Sequence, residues 1–425
     1  MSTGPRRDPV VTGVGLVTPV GVGAGATWEA CLTGATGAGR VQRFDTEEYR
    51  LRSTIACEVD AEFDDHERVD PRSTGRYTRM ALVAADEALS DAGLDPDGEG
   101  WDPRDIGVAV ASALGGIPTY EAGHHRTENN GRVSSRLLVQ YLPNLAAGHL
   151  ATEFDARGPN RAPATACAAG AHAVADAATD IRAGRADVVI AGGAESALTP
   201  TVVRAFDVMR ALSTRNDDPG AASRPFDADR DGFVLSEGAG VVILEAREHA
   251  VQRGATGCAT VSGLGLSDDA SHPTRPPEDG RGLRAAMEQA LDDANVPPDA
   301  VDLINAHATS TPVGDSAEAA AIGGLFGDDG PPVWAPKSSL GHPLGAAGAV
   351  ETALTAQAIA TGVVPPTVNH DRTDVDRPLR VLTERTELAP ETVVTNAAGF
   401  GGTNASLVLR AVDNPLTASG TQTHA

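Results

Sequence analysis

The sequence predicts a duplicated α/β fold, and three observations carry that prediction. The stretch ALSDAGLDP (Ala88–Pro96) recurs as ALDDANVPP (Ala290–Pro298), each closing an Ala-rich amphipathic segment. Each copy is followed after a turn by an apolar run, DIGVAVASALGG from Asp105 and VDLINAHATSTP from Val301. Two further runs, ADVVIAGGAE (Ala186–Glu195) and AGVVILEAREHA from Ala239, alternate with helical stretches and imply mostly parallel, buried sheets. Helix–turn–strand units repeated about half a chain apart are the trace that a duplicated domain leaves.

Length and composition agree. The 425 residues are enough for two core-bearing halves, and 41% apolar with 22% charged residues is ordinary globular composition. The reading divides the chain into a first half at 1–255, a second at 256–412 and a polar, turn-rich tail at 413–425, taken as disordered. A formal charge of −24 excludes nucleic acid as a partner, since phosphates need a cationic footprint. Cys31, Cys57, Cys167 and Cys258 form no C-x-x-C pair, which fits a reducing compartment. MSTGPRRDPVV has no signal-type apolar core, and no run approaches the ~18 apolar residues of a membrane span. A cytoplasmic protein without membrane contact is expected.

The chemistry gathers around one cysteine. In PATACAAGAHAVADAATDIRAG (163–184) the alanines predict a helix starting near Cys167 and ending before Gly184. A thiol in its first turn would meet the positive end of the helix dipole, which lowers its pKa. The alternative is a small buried hydrophobe. Three segments of the second half bear on the choice. NAHATSTPVGD carries His307 at a strand end, and PKSSLGHPLGAAGAVE carries Lys337 and His342 ahead of a helix running through Glu351. NAAGFGGTNASLVL is a glycine loop around Phe400 leading into a final strand. Cysteine with histidine is the residue set of nucleophilic acyl transfer. Two other motifs fail. FDADRDGFVLSE matches the start of a calcium loop but has Gly238 where the twelfth position needs Glu, and GVGLVTPVGVG lacks dinucleotide-binding spacing.

Taken together, VVTGVGLVTPVG, RALSTRNDDPGAASRPFDADRDGFVLSEGAG, NAHATSTPVGDSAEAAA and GFGGTNASLVL resemble the elongating β-ketoacyl-acyl carrier protein synthases over nearly the whole chain. That resemblance implies a thiolase-like five-layer αβαβα fold of two duplicated halves, usually a dimer. It implies Cys167 as acyl-accepting nucleophile, with His307 and His342 binding the malonyl thioester carbonyl. Lys337 would hold His342 electrostatically with Glu351 as its ion-pair partner. The N–H groups of Cys167 and Phe400 would form an oxyanion hole, and the Phe400 ring would gate the site. Thr309 and Thr311 would contact the pantetheine arm, while Leu114, Phe206 and Ala398 would line the gate and acyl pocket. No metal or other cofactor is implied, because the carrier protein supplies the phosphopantetheine.

The implied partners are an acidic acyl carrier protein and either a second copy or a chain-length-factor-like paralogue. Arg72, Arg76 and Arg204 are the candidates for carrier docking. The chain departs from the family pattern at Ala308, which is expected to crowd the pantetheine approach, and at Ala168, Ser236, Ala397 and Ala398. The lost phenyl ring at Ala398 points to bulkier chains, as in a reducing or polyene-forming polyketide system; fatty-acid elongation is the alternative. A non-catalytic chain-length partner would lack the nucleophile, a CoA-dependent thiolase would carry a second cysteine in GFGGTN, and initiating synthases place Asn where His342 stands.

Overall fold

The computed structural model describes residues 7–98, 101–375, 379–412 and 416. Strand β1 (Val10–Thr18) is followed by helix α1 (Arg76–Ala92), β2 (Ile106–Ala111), β3 (Asn160–Arg161), α2 (Ala169–Arg182), β4 (Val188–Glu195) and β5 (Gly238–Glu245). The second half repeats the order with β6 (Ala259–Asp268), α3 (Arg281–Ala294), β7 (Leu303–Asn305), α4 (Pro312–Phe326), β8 (Val333–Trp334), α5 (Ala347–Thr361), β9 (Thr392–Ala398) and β10 (Thr403–Arg410). Strand order is β3-β2-β4-β5-β1 in one half and β8-β7-β9-β10-β6 in the other, joined where β1 meets β6 at Val10↔Thr260 and Val11↔Ala259. Matching order confirms the duplicated, thiolase-like α/β fold.

Each half-sheet is mixed, not mostly parallel as expected. β2 runs parallel to β3 and β4, and β7 to β8 and β9, but β4–β5–β1 and β9–β10–β6 are antiparallel. Only Gly399–Gly402 link β9 to β10, and so short a connection can only return antiparallel.

The repeat noticed at the helix ends has a tighter counterpart in the strands, VTGVGL (Val11–Leu16) and VSGLGL (Val261–Leu266). A Cβ at Gly13 or Gly15 would lie 2.1 Å and 1.8 Å from the carbonyl oxygens of Ala88 and Ala84. At Gly263 and Gly265 it would lie 2.1 Å and 1.9 Å from those of Ala290 and Ala286. Glycine on the strand and alanine on the helix therefore let α1 and α3 lie directly on β1 and β6. Helices α2 and α5 fill the space between the half-sheets, and their core takes in Val14, Val242, Val393 and Leu407 from both.

Leu416 is buried in one apolar cluster with Val10, Ala250 and Ala255, so that position of the expected tail is anchored by apolar burial. The tail's other positions, 413–415 and 417–425, lie outside the described residues. Among the described residues no helix is long and apolar enough to cross a membrane. The failed calcium motif is a brace: Asp227 accepts from the backbone N–H of Asp229, Asp371 and Arg372, and Asp231 accepts from Thr214.

Gly265→Ala should destabilise the protein by roughly 1–3 kcal/mol through overpacking. Gly25→Ala, where an added Cβ meets nothing within 4 Å, is the control. Thermal denaturation of both variants tests this, and equal melting temperatures would refute the packing account.

Candidate active site

The cysteine sits slightly ahead of its helix. Cys167 lies in the 3-10 turn Ala166–Ala168, and α2 begins at Ala169. Ala166 takes φ 49°, a left-handed conformation costly for alanine, which turns the chain sharply and points the thiol into a cavity. The expected low pKa does not hold. Burial pushes the thiol up to about 12, outweighing the Lys337 ammonium and the N–H groups of Phe400 and Cys167, which pull it down. The dipole of one helix end is worth less than the desolvation of a thiolate. Those two N–H groups nonetheless converge on the sulfur.

The histidine set is built by the second half. His307 follows β7, and its N–H and that of Ala308 donate to the Glu318 carboxylate of α4 at 2.9 Å and 2.6 Å. Asn396 on β9 donates to the same carboxylate at 3.2 Å. His342 is fixed through its backbone, its N–H donating to Val234 O at 2.8 Å and its carbonyl accepting from Ser236 at 3.1 Å. Its ring stands edge-on to His307 (centroids 5.4 Å, 87°) and to Phe233 (5.3 Å, 82°). Lys337 is ion-paired with Glu351, both fully buried, and its Nζ is 3.4 Å from His307 Nδ1. The lysine, aimed by its helix Lys337–Leu340 and the Glu351 carboxylate, touches His307 directly, and its charge also acts on His342. Burial first, and Lys337 second, hold both imidazoles well below their ordinary pKa. Both are neutral near pH 7.

A cavity of 410 Å³ joins these groups. Cys167, His307, His342, Phe400, Ala398 and Phe206 line it, with Thr309 and Thr311 further out. The Thr309 and Thr311 hydroxyls are 3.0 Å apart, and Thr311 Oγ1 caps α4 by accepting from Gly314 N. The Phe400 ring lies 6.2 Å from that of Phe206 and is 38% exposed. Leu114 lies behind this lining, packed in one apolar cluster with Phe206, Leu344 and Cys167. Ala308, expected to crowd the entrance, does line this cavity, and its 1% exposed side chain also packs on the core of Leu283 and Ala319.

The arginines divide. Arg76 is turned inward, its guanidinium bound to Glu237 and to the carbonyls of Val59 and Ala61, so it faces no partner. Buried Glu237 needs a counter-charge, and that need decides its orientation. Arg72 is exposed beside Asp70, and Arg204 is half-exposed and donates to Arg50 O. Arg210, one of the arginines clustered in RAFDVMRALSTR, lines the cavity with Arg275, which was not singled out from sequence; nor were Glu318 and Glu195. Carboxylates that cap distant backbone N–H groups leave no periodic signal.

Comparison with known proteins gives the same answer. The β-ketoacyl synthase N-terminal domain matches residues 7–250 and the C-terminal domain residues 258–371. The 3-oxoacyl-[acyl-carrier-protein] synthase 2 of Coxiella burnetii is 41% identical over 415 residues, covering 96% of this chain and 99% of that protein. The ishigamide ketosynthase/chain length factor superposes with TM-score 0.89 at 35% identity, covering 96% of this chain and 100% of its own. A type II PKS acyl-carrier protein in complex with its ketosynthase bound to the hexaketide gives TM-score 0.88 at 33% identity, with the same coverage. With matching halves, a matching fold and a cysteine facing two neutral histidines, the chain belongs to the β-ketoacyl synthase family and is a condensing enzyme of the acyltransferase type.

Proposed function

We propose that the protein joins an acyl group, held as a thioester on Cys167, to the two-carbon unit of a malonyl-acyl carrier protein by decarboxylative Claisen condensation. The observation that carries this reading is the single cavity in which Cys167, its two convergent N–H groups and two neutral imidazoles meet. Loading replaces the S–C bond of the incoming thioester with one to Cys167 Sγ; the thiol proton ends on the departing pantetheine sulfur. The acyl oxygen then faces the N–H groups of Cys167 and Phe400. The malonyl thioester oxygen accepts hydrogen bonds from His307 and His342, so charge developing as CO2 leaves is stabilised where it forms. The resulting enolate carbon attacks the Cys167 thioester carbonyl, so a C–C bond forms as the C–S bond breaks, and the released Cys167 thiolate takes a proton from water. Neutral imidazoles serve as donors here, and no metal or redox cofactor enters the scheme.

The partners follow from the surface. Arg210 and Arg275 at the mouth, with Arg52 and Arg204 beside exposed Val208 and Met209, offer an acidic carrier protein a cationic rim around an apolar centre. Tyr120, Val133, Leu138 and Leu142 are exposed apolar side chains within one short stretch of the chain, and a second copy or a chain-length-factor-like paralogue would cover them. Four free cysteines fit a cytoplasmic setting. For substrate, the open wall at Ala398 favours the stiff or bulky chains of a polyketide system. Fatty-acid elongation is the second reading, favoured by 41% identity to the Coxiella synthase.

Three outcomes are expected. Wild type incubated with acyl carrier protein thioester gains one acyl mass, and Cys167→Ser gains little. His307→Ala and His342→Ala keep that loading but release CO2 from malonyl carrier protein about 100–1000-fold more slowly. Equal labelling of Cys31, Cys57 or Cys258, or undiminished CO2 release, would refute these roles.

The second concerns pH. Because the resting thiol is raised, its alkylation by iodoacetamide should keep climbing to about pH 9 without a plateau near neutrality. A plateau below about pH 7.5 would reveal a resting thiolate and contradict the burial argument.

The third concerns specificity. Ala398→Phe should lower kcat/KM for a polyunsaturated acyl chain about tenfold more than for a saturated chain of equal length. Equal responses would remove Ala398 as the specificity position.

A further inference from the structure

The two halves share one strand order, and their contacts and registers pair individual positions. A Cβ at Gly170 would lie 2.6 Å from Ala349 N, and one at Gly348 would lie 2.6 Å from Ala171 N. This reciprocity pairs CAAGA (167–171) with GAAGA (345–349), so Gly345 is the twin of Cys167. The residues before them, Ala166 and Leu344, share the left-handed conformation at φ 49° and 42°. In the sheets, Gly15 lies opposite Val241 and Val241 opposite Gly192, while Gly265 lies opposite Ser406 and Ser406 opposite Asn396. Three residues further along the strands, Glu195 is the twin of Gly399.

The contrast between these twins is chemical. At Gly399 a Cβ would meet Thr165 O at 2.7 Å and Ala168 N at 3.1 Å, so any side chain would invade the nucleophile turn. In the first half that side chain exists. The Glu195 carboxylate accepts from Gly345 N at 3.2 Å, Ala113 N at 2.8 Å, Leu114 N at 3.3 Å and Ser112 Oγ at 3.2 Å. Gly345 N–H is the counterpart of the Cys167 N–H that points at the reacting centre. The protein's own carboxylate oxygen thus sits in one half where a substrate oxyanion would sit in the other. It also ties Ala113 and Leu114, beside the apolar cluster of Cys167 and Phe206, to the turn three residues after His342.

We propose that Glu195 is a positioning residue that fixes the deep wall of the acyl pocket, holding Leu114 in register with the Leu344–Gly345 turn so that long acyl chains can load onto Cys167. This rests on the reading of Cys167 as acyl carrier. A two-carbon acyl group presents far less surface to this wall than a long chain does, so its loading should be the less sensitive. Decarboxylation is insensitive to it, because His307 and His342 are held by other contacts.

The test uses Glu195→Gln, which keeps the side chain's size but replaces one acceptor oxygen with a donor facing N–H groups. Cys167 loading from acetyl- and dodecanoyl-carrier protein is followed by intact mass, and CO2 release from malonyl carrier protein is measured alongside. Dodecanoyl loading should fall about tenfold relative to acetyl loading, with CO2 release within about twofold of wild type. Equal losses on both chains, or no loss on either, overturn the proposal. Should that variant fail to fold, Ser112→Ala removes one donor to the same carboxylate, and the dodecanoyl-to-acetyl ratio should fall about threefold. An unmoved ratio there is equally fatal. Wild type that never acylates at Cys167 would instead refute the nucleophile assignment itself.

Discussion

The crossing of α2 and α5 at Gly170 and Gly348 is the contact from which the site's geometry follows. Neither residue tolerates a Cβ, since each would collide with the other helix's backbone at 2.6 Å. Because the helices touch at their first turns, the loops entering them are brought together too. One loop carries Cys167 from the first half, and the other carries His342 from the second. A larger residue at either glycine would force the helices apart and separate nucleophile from histidine, a displacement of about 1 Å being enough to slow chemistry severely.

Around that crossing the interior is unusually charged. Lys337, Glu318 and Glu351 are fully buried, and burial raises both carboxyls, Glu351 to about 7. Such groups contribute little net stability, because removing charge from water costs about as much as pairing returns. Their value lies in placement. Burial, and then the ammonium beside it, keep the His307 imidazole from protonating, and Glu318 fixes the backbone on which it stands. An imidazolium would bind a substrate carboxylate in the ground state and oppose the loss of CO2; a neutral ring polarises only the thioester oxygen.

Much of this was legible in the residues. The ALSDAGLDP/ALDDANVPP repeat announced the duplication, and Cys167, His307, His342 and Phe400 do meet at one cavity, with Lys337 behind His307. What escaped depends on distance in space. The pairing of Gly13 and Gly15 with Ala88 and Ala84 needs the helix seen lying on the strand. Arg76 looked exposed until buried Glu237 gave it a partner, and the thiol's pKa follows from burial that local helix geometry does not reveal. Glu195 and Glu318 cap N–H groups on loops from other parts of the chain, so no spacing in the sequence marks them.

The seam between β1 and β6 also orders events in time. Val10 pairs with Thr260, so the edge of the first half-sheet is completed only by residues made about 250 positions later. At roughly 5–20 residues per second, a nascent chain holds that apolar edge open for some tens of seconds. An unpaired edge is a template for wrong partners. Newly made copies crowded on one message would therefore meet their greatest hazard before any of them has an active site.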